Sequence, residues 1–154
     1  MADHYKNIEN RELIEALNVF LADTATVYYK THGFHWNVEG ANFYSLHLMF
    51  EKFYTELWES LDDIAERLRA MGEKAPSNFA ALLRPATLKE NEGGPHAQIM
   101  VQILRDDYFA LAQNAHKICE IATDHGDFIT TDMLTTKAAF LEKAAWMLHS
   151  TVTD

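Results

Sequence analysis

Apolar residues recur at steps of three and four along most of the chain, and the strict polar and apolar alternation of strands is nearly absent. This period predicts four long helices. The first runs from about Arg11 to Trp36, and the second follows the segment NVEGAN and stops near Gly72, in the position of a C′ glycine. The third opens near Pro95 and ends at Gly126, and the fourth follows it.

One long break interrupts this pattern, between the second and third helices, with the sequence EKAPSNFAALLRPATLKENEGGP. Ser77 is the expected N-cap of a short helix that Pro85 ends. Four long helices with one long crossover are typical of the ferritin-like kind of four-helix bundle. The chain has 154 residues, 48% of them hydrophobic, which is enough for one domain with a hydrophobic core and too few for two ordinary domains. We predict an all-α, ferritin-like four-helix bundle whose single crossover carries a short helix, as one domain over residues 1–154.

The second helix carries candidate metal ligands in two pairs with i, i+4 spacing, which are His47 with Glu51 and Asp62 with Glu66. All four fall within one stripe roughly 100° wide. Glu51 and Asp62 are nevertheless separated by about 16 Å along the axis, so one chain cannot close a site. An antiparallel copy related by a two-fold axis near residues 56 and 57 would place His47 opposite Glu66. The same axis would place Glu51 opposite Asp62, and two equivalent sites would form.

Acidic residues four apart are also common on ordinary solvated helices. The alternative explanation is therefore that these pairs are surface residues that bind no metal. Two large aromatic residues, Tyr54 and Trp58, lie on the ligand stripe and favour a buried contact instead. The expected solvent-facing set lies elsewhere, at Lys52, Glu56, Glu59, Asp63 and Arg67. A third, bundle-facing stripe is formed by Phe43, Leu46, Phe50, Phe53, Leu57, Leu61, Ile64 and Leu68. Three faces imply that this helix is buried twice, once in the bundle and once against a partner.

A di-iron site inside the bundle is not favoured, because such sites use Glu-x-x-His motifs and no histidine here follows a Glu at that spacing. The run HWNVEGANFYSLHLMFEKFY, together with the D-x-x-x-E of Asp62 and Glu66, resembles the signature of the starvation-induced DNA-protection proteins, the Dps branch of the ferritin superfamily. The helix order, the crossover and the C-terminal segment GDFITTDML extend this resemblance over essentially the whole chain.

The resemblance implies a hollow homo-oligomer, a dodecamer, with ferroxidase sites at its two-fold interfaces. It further implies that three residues of one subunit face two of its partner, namely His35, His47 and Glu51 on one side and Asp62 and Glu66 on the other. The implied activity is oxidation of Fe(II) by hydrogen peroxide, or more slowly by dioxygen, with storage of the ferric product and protection against oxidative damage. His32 shares a face with His35, and we expect a backbone carbonyl to satisfy it instead of a metal.

The formal net charge of −10 bears on nucleic acids, since binding DNA requires cationic groups that neutralise phosphates. The lysine-rich tail usual in the family is absent: the N-terminal segment sets Lys6 and Arg11 against Asp3, Glu9 and Glu12. Direct DNA binding is therefore doubtful. Negative charge favours cation uptake through a pore, and the candidates are Asp124, Asp127 and Asp132. Asp132 fits the acidic three-fold pore of the family best, while an ordinary N-cap is the alternative for Asp127.

Two other classes of function stay open on the sequence. The protein could be a nucleoid-binding module without useful oxidase activity, or a structural cage whose site binds zinc or nothing. No apolar run reaches transmembrane length, and the first residues, MADHYKNIENRE, lack the apolar core of a signal peptide. We therefore expect a cytosolic protein with no membrane partner.

Overall fold

Five helices, joined by loops, lie within residues 11–152, the part of the chain that the computed structural model describes. They are α1 (Arg11–Asn37), α2 (Phe43–Ala70), the short α3 (Phe79–Leu83), α4 (Ala97–Asp124) and α5 (Phe128–Val152). The predicted all-α bundle with one crossover and a short helix is confirmed. Residues 1–10 and 153–154, which include Lys6 of the segment considered for DNA binding, lie outside the described residues.

The four long helices pack as two hairpins, α1 with α2 and α4 with α5, and α1 also contacts α4. Their apolar stripes meet in one core whose largest fully buried side chains include Phe20, Phe50, Phe53 and Tyr108. The Tyr108 hydroxyl lies 3.2 Å from Oγ1 of Thr31, so this deeply buried polar atom has a partner. Within residues 11–152, no helix combines the length and the apolar character needed to cross a membrane.

Helix α2 follows the predicted division into faces with two corrections. Phe43 is 43% exposed and Leu61 only half-buried, so the bundle-facing stripe is narrower than predicted. Arg67 was assigned to solvent, but its side chain is 13% exposed and pairs with Asp127 at the start of α5. Asp63 is exposed, and it accepts a hydrogen bond of 2.7 Å from the buried Lys137 of α5. Polar side chains therefore join α2 to α5.

The crossover is held by side chains that the sequence pattern did not reveal. Asn78, and not Ser77, caps α3, because its side-chain oxygen accepts from the backbone N–H of Ala81 at 2.9 Å. Farther along, the fully buried Asp23 of α1 accepts two backbone N–H bonds and one hydroxyl bond, at 2.6–2.8 Å, from Thr87 and Leu88. This carboxylate fixes the crossover against α1.

Candidate metal centre

His35 and His47 form a stacked pair that joins the end of α1 to the start of α2. Nδ1 of His35 lies 2.8 Å from the carbonyl oxygen of His47, and Nδ1 of His47 lies 2.8 Å from the carbonyl oxygen of His35. The rings stack with centroids 3.7 Å apart. In each bond the ring N–H must be the donor, since a carbonyl only accepts. Both Nε2 atoms are thereby left with lone pairs, as in histidines that bind metals.

A layer of aromatic rings lies beside this pair. His32 stacks on Tyr54 with centroids 3.9 Å apart, and it meets Trp36 at a tilt of 34° with centroids 4.1 Å apart. Nδ1 of His32 is 3.1 Å from the hydroxyl of Tyr28, so the expectation of a backbone carbonyl partner for His32 was wrong. Burial, with a smaller contribution from His35, lowers the pKa of His32, which favours the neutral ring.

The carboxylates of the two helical pairs lie on the surface of α2. Glu51, Asp62 and Glu66 are all exposed, while His47 is half-buried and His35 is only 8% exposed. Among the described residues of this single chain, no three or more metal-ligating side chains come together. Helix α2 is continuous over both pairs, so the structure keeps Asp62 and Glu66 well away from the histidines of the same chain.

The surface between the two pairs carries an exposed aromatic side chain and an adjoining groove. Trp58 is 60% exposed, and it lines a groove with the apolar Leu21, Leu61, Ala65, Pro76 and Leu82 and with three carboxylates, those of Glu59, Asp62 and Asp63. A second, mostly apolar cavity beside it is lined in part by the short helix α3, whose Phe79 is 82% exposed. Large aromatic side chains exposed next to carboxylates are typical of a surface that another protein covers.

The three pore candidates differ in their surroundings. Asp124 and Asp132 are exposed near the turn between α4 and α5. Asp127 caps α5, because its Oδ1 accepts from the backbone N–H of Thr130 at 3.0 Å, and both carboxylate oxygens lie 2.8 Å from Nη2 of Arg67. Burial opposes ionisation of Asp127, but the bonds from Thr130 and Arg67 outweigh it and lower the pKa of this carboxyl group.

The sequence pattern missed the reciprocal histidine bonds and the partners of His32, Arg67 and Lys137. A His35 to His47 backbone bond depends on the path of the chain through the loop at residues 38–42, which has no periodic signal. The HW-x5-N-x4-H spacing of residues 35–47 does not by itself show that the two histidines meet. The links from α2 to α5 depend on how two distant helices align, which periodicity within one helix cannot give.

Comparison with known proteins identifies the family. Residues 14–154 match the ferritin-like domain family. The DNA protection during starvation protein 2 of Bacillus anthracis is 38% identical over 141 residues, which cover 92% of this chain and 97% of that protein. General stress protein 20U of Bacillus subtilis is 37% identical over the same length and with the same coverage.

Solved structures agree with the sequence relatives. Dps from Staphylococcus aureus superposes with a TM-score of 0.90 at 32% identity, covering 94% of this chain and 97% of that one. Dps from Vibrio cholerae O1, described as a member of a broad superfamily of ferritin-like diiron-carboxylate proteins, gives a TM-score of 0.88 at 31% identity, covering 93% and 90% of the two chains. With this fold and these relatives, the chain belongs to the Dps family of ferritin-like proteins.

Proposed function

We propose that this protein oxidises Fe(II) with hydrogen peroxide or dioxygen at sites shared by two-fold related subunits. Each site combines His35, His47 and Glu51 of one subunit with Asp62 and Glu66 of its partner. The observation that carries the proposal is the stacked histidine pair, whose backbone bonds leave two Nε2 lone pairs, with His47 one helical turn before Glu51 on α2. The exposed Trp58 between the ligand pairs gives the partner an apolar surface to cover.

The donor set suits iron as the substrate. Imidazole nitrogens accommodate Fe(II), and the added carboxylates stabilise the more highly charged Fe(III) product. Two adjacent metal positions let one peroxide molecule accept an electron from each of two Fe(II) ions, so that hydroxyl radicals are not released. Ferric product then accumulates inside a hollow homo-oligomer, a dodecamer, whose acidic pores attract Fe(II) through Asp124 and Asp132. Protection of DNA follows from the removal of iron and peroxide.

The first test removes the carboxylates. Replacing Asp62 and Glu66 together by Ala should abolish fast Fe(II) oxidation by peroxide, followed by ferric absorbance after anaerobic Fe(II) loading, without loss of helix content. The matched control replaces Glu56 and Glu59 of α2, which are exposed and carry the same charge outside the ligand stripe. Oxidation at the native rate in the Asp62, Glu66 variant would show that these residues are wrongly assigned.

Complementation tests whether the site is shared between subunits. A variant with His35→Ala and His47→Ala retains Asp62 and Glu66, so an interface that mixes the two inactive variants has one doubly damaged and one intact site. Co-assembly of the two should therefore restore part of the Fe(II) oxidation. Heteromers that form, as native mass spectrometry would show, but remain inactive would contradict the shared site.

A further inference from the structure

Tyr44 and Arg69 lie near the two ends of α2, and both side chains are exposed. Tyr44 is 73% exposed, and its side chain has no ring contact or hydrogen bond among the described residues. Arg69 is held at one edge, since its Nη1 donates to the carbonyl oxygen of Glu73 at 2.9 Å. Because this N–H lies in the guanidinium plane, both faces of the group stay open. The two side chains are about 37 Å apart along the helix and cannot meet within one chain.

Both residues lie on the face of α2 that carries the proposed ligands. Tyr44 is seven residues before Glu51, and Arg69 is seven residues after Asp62. This spacing returns to the same side of an α-helix within about 20°. Among the basic residues of α2, only Arg69 lies on this face, because Lys52 and the others are turned by at least one residue from the ligands.

The two-fold axis of the proposed function brings the two ends of α2 together. It places His47 opposite the partner's Glu66, and Tyr44 lies three positions before His47, as Arg69 lies three positions after Glu66. An antiparallel pairing therefore sets Tyr44 opposite Arg69 of the partner subunit. We propose that the Tyr44 ring packs on the guanidinium of the partner's Arg69, in a cation–π contact that forms twice in each interface. The inference rests on the proposed function, because the proposed ligand pairs define the axis.

Charge complementarity supports this contact. Each shared site gathers three carboxylates, those of Glu51 in one subunit and of Asp62 and Glu66 in its partner, and these repel one another before a cation binds. Arg69 of the partner subunit brings a positive charge to the end of this cluster. Its packing on Tyr44 holds that charge beside the carboxylates and leaves them free to bind Fe(II).

The same register satisfies a neighbouring apolar residue. Leu48 is 43% exposed and follows His47, while Ala65 precedes Glu66 and lines the groove on α2. The axis therefore also sets Leu48 opposite the partner's Ala65. Moving the axis by two residues would shift the pairing by about one turn, and Arg69 would then face either Leu48 or the loop before α2. The contact thus selects the register that aligns the proposed ligands.

A double-mutant cycle on metal-free protein tests the contact. Tyr44→Leu removes the aromatic face, Arg69→Gln removes the charge, and the dissociation constant of the interface is measured by ultracentrifugation over a dilution series with a chelator. Loss of two exposed cation–π contacts should raise this constant by roughly 5- to 30-fold in either single variant. The double variant should be no weaker than the single ones, because both remove the same interaction. The matched control, Tyr44→Phe, keeps the aromatic face and should dissociate as the native protein does.

Three outcomes of the cycle would overturn the contact. They are single variants that dissociate as the native protein does, single effects that multiply in the double variant, and a Tyr44→Phe variant as weak as Tyr44→Leu. Each would show that the ring face and the cation do not act as a pair.

Cysteine crosslinking tests the register independently. In a Cys119→Ser background, subunits with Tyr44→Cys and subunits with Arg69→Cys are mixed and treated with a short thiol crosslinker, and mass spectrometry identifies the joined peptides. Leu48→Cys mixed with Arg69→Cys is the matched control, since it reports a pairing shifted by about one turn. A yield for the control pair that equals or exceeds the yield for the proposed pair would overturn the register.

The crosslink also separates this inference from the proposed function. Native protein that fails to oxidise Fe(II) although the crosslink forms would refute the function and support the contact. Recovered oxidation in mixed ligand variants without the crosslink would overturn the contact alone.

Discussion

Asp127 offers the sharpest quantitative prediction, because it has two alternative roles with different consequences. As a cap and ion-pair partner, it bonds Thr130 and Arg67, and the Arg67 and Asp127 side chains are only 13% and 9% exposed. Removing one member of a buried pair costs about 3–5 kcal/mol, and loss of an N-cap costs about 1 kcal/mol. Arg67 keeps its bond to Oγ1 of Thr130, so we expect about 3–4 kcal/mol in total for Asp127→Ala.

Asp127→Asn separates the two contributions. Asn caps helices as well as Asp, so this variant should lose only the ion pair and be about 1 kcal/mol more stable than Asp127→Ala. The measurement is thermal unfolding at fixed protein concentration, where each kcal/mol corresponds to about 2–4 °C for a chain of this size. Unfolding temperatures within roughly 1 °C of native for both variants, which is less than the shift expected from 1 kcal/mol, combined with slower iron entry would refute the structural role and favour the pore.

The pH dependence gives an independent check on the same carboxylate. The pKa of Asp127 is lowered in the folded protein from its ordinary value of 3.8. A depressed folded pKa means that the stabilisation is fully present above the unfolded value and is lost as the pH falls through the folded value. The difference in stability between the native protein and Asp127→Asn should therefore be constant near neutral pH and shrink below about pH 4. A difference that closes near pH 6 would identify another group as its source.

Two further outcomes are expected. Asp63→Ala leaves the buried Lys137 with Ser60 as its remaining described partner, so we expect it to lower the free energy of unfolding by about 1–2 kcal/mol, measured by denaturant unfolding. Adding Lys137→Met should recover part of this loss, and a double variant less stable than Asp63→Ala would contradict the reasoning. The assembled protein should not retard plasmid DNA in a gel at about 0.15 M salt, because its net charge of −10 repels phosphates; tight, salt-sensitive retardation without divalent cations would reveal a basic patch.

The helices could be predicted because their signals are local. Gly72 and Gly126 follow α2 and α4 with φ of +90° and +71°, conformations that glycine adopts without strain, and each marks its helix end in the sequence. The cap of α3 was misplaced by one residue because Ser77 and Asn78 are equally good N-cap residues. Adjacent candidates of equal propensity cannot be separated without the backbone angles, which here place Asn78 in the extended region.

The residues of the candidate site also fall into two groups, those that local spacing predicts and those that it does not. The spacing of His47, Glu51, Asp62 and Glu66 is a property of one helix and was readable from the sequence alone. His35 entered only through the family resemblance, since nothing in its local pattern reveals that it stacks on His47. That contact depends on the angle at which α1 and α2 meet. The angle between two helices is set by how their side chains pack together, and the spacing of residues within one helix does not give it.

The hydrogen bonds and ion pairs between α2 and α5 also affect the direction in which the proposed ligands of α2 point. Asp63 and Arg67 each follow a proposed ligand, Asp62 and Glu66, and successive helical residues point about 100° apart. Lys137 and Asp127 thus hold α2 on one side, while the proposed ligands Asp62 and Glu66 are exposed on another. Because both anchors lie within one turn of the ligands, they limit rotation of α2 about its own axis. We therefore expect Asp63 and Arg67, which the sequence assigned to the solvent-facing set, to orient the proposed ligands through their pairs with α5.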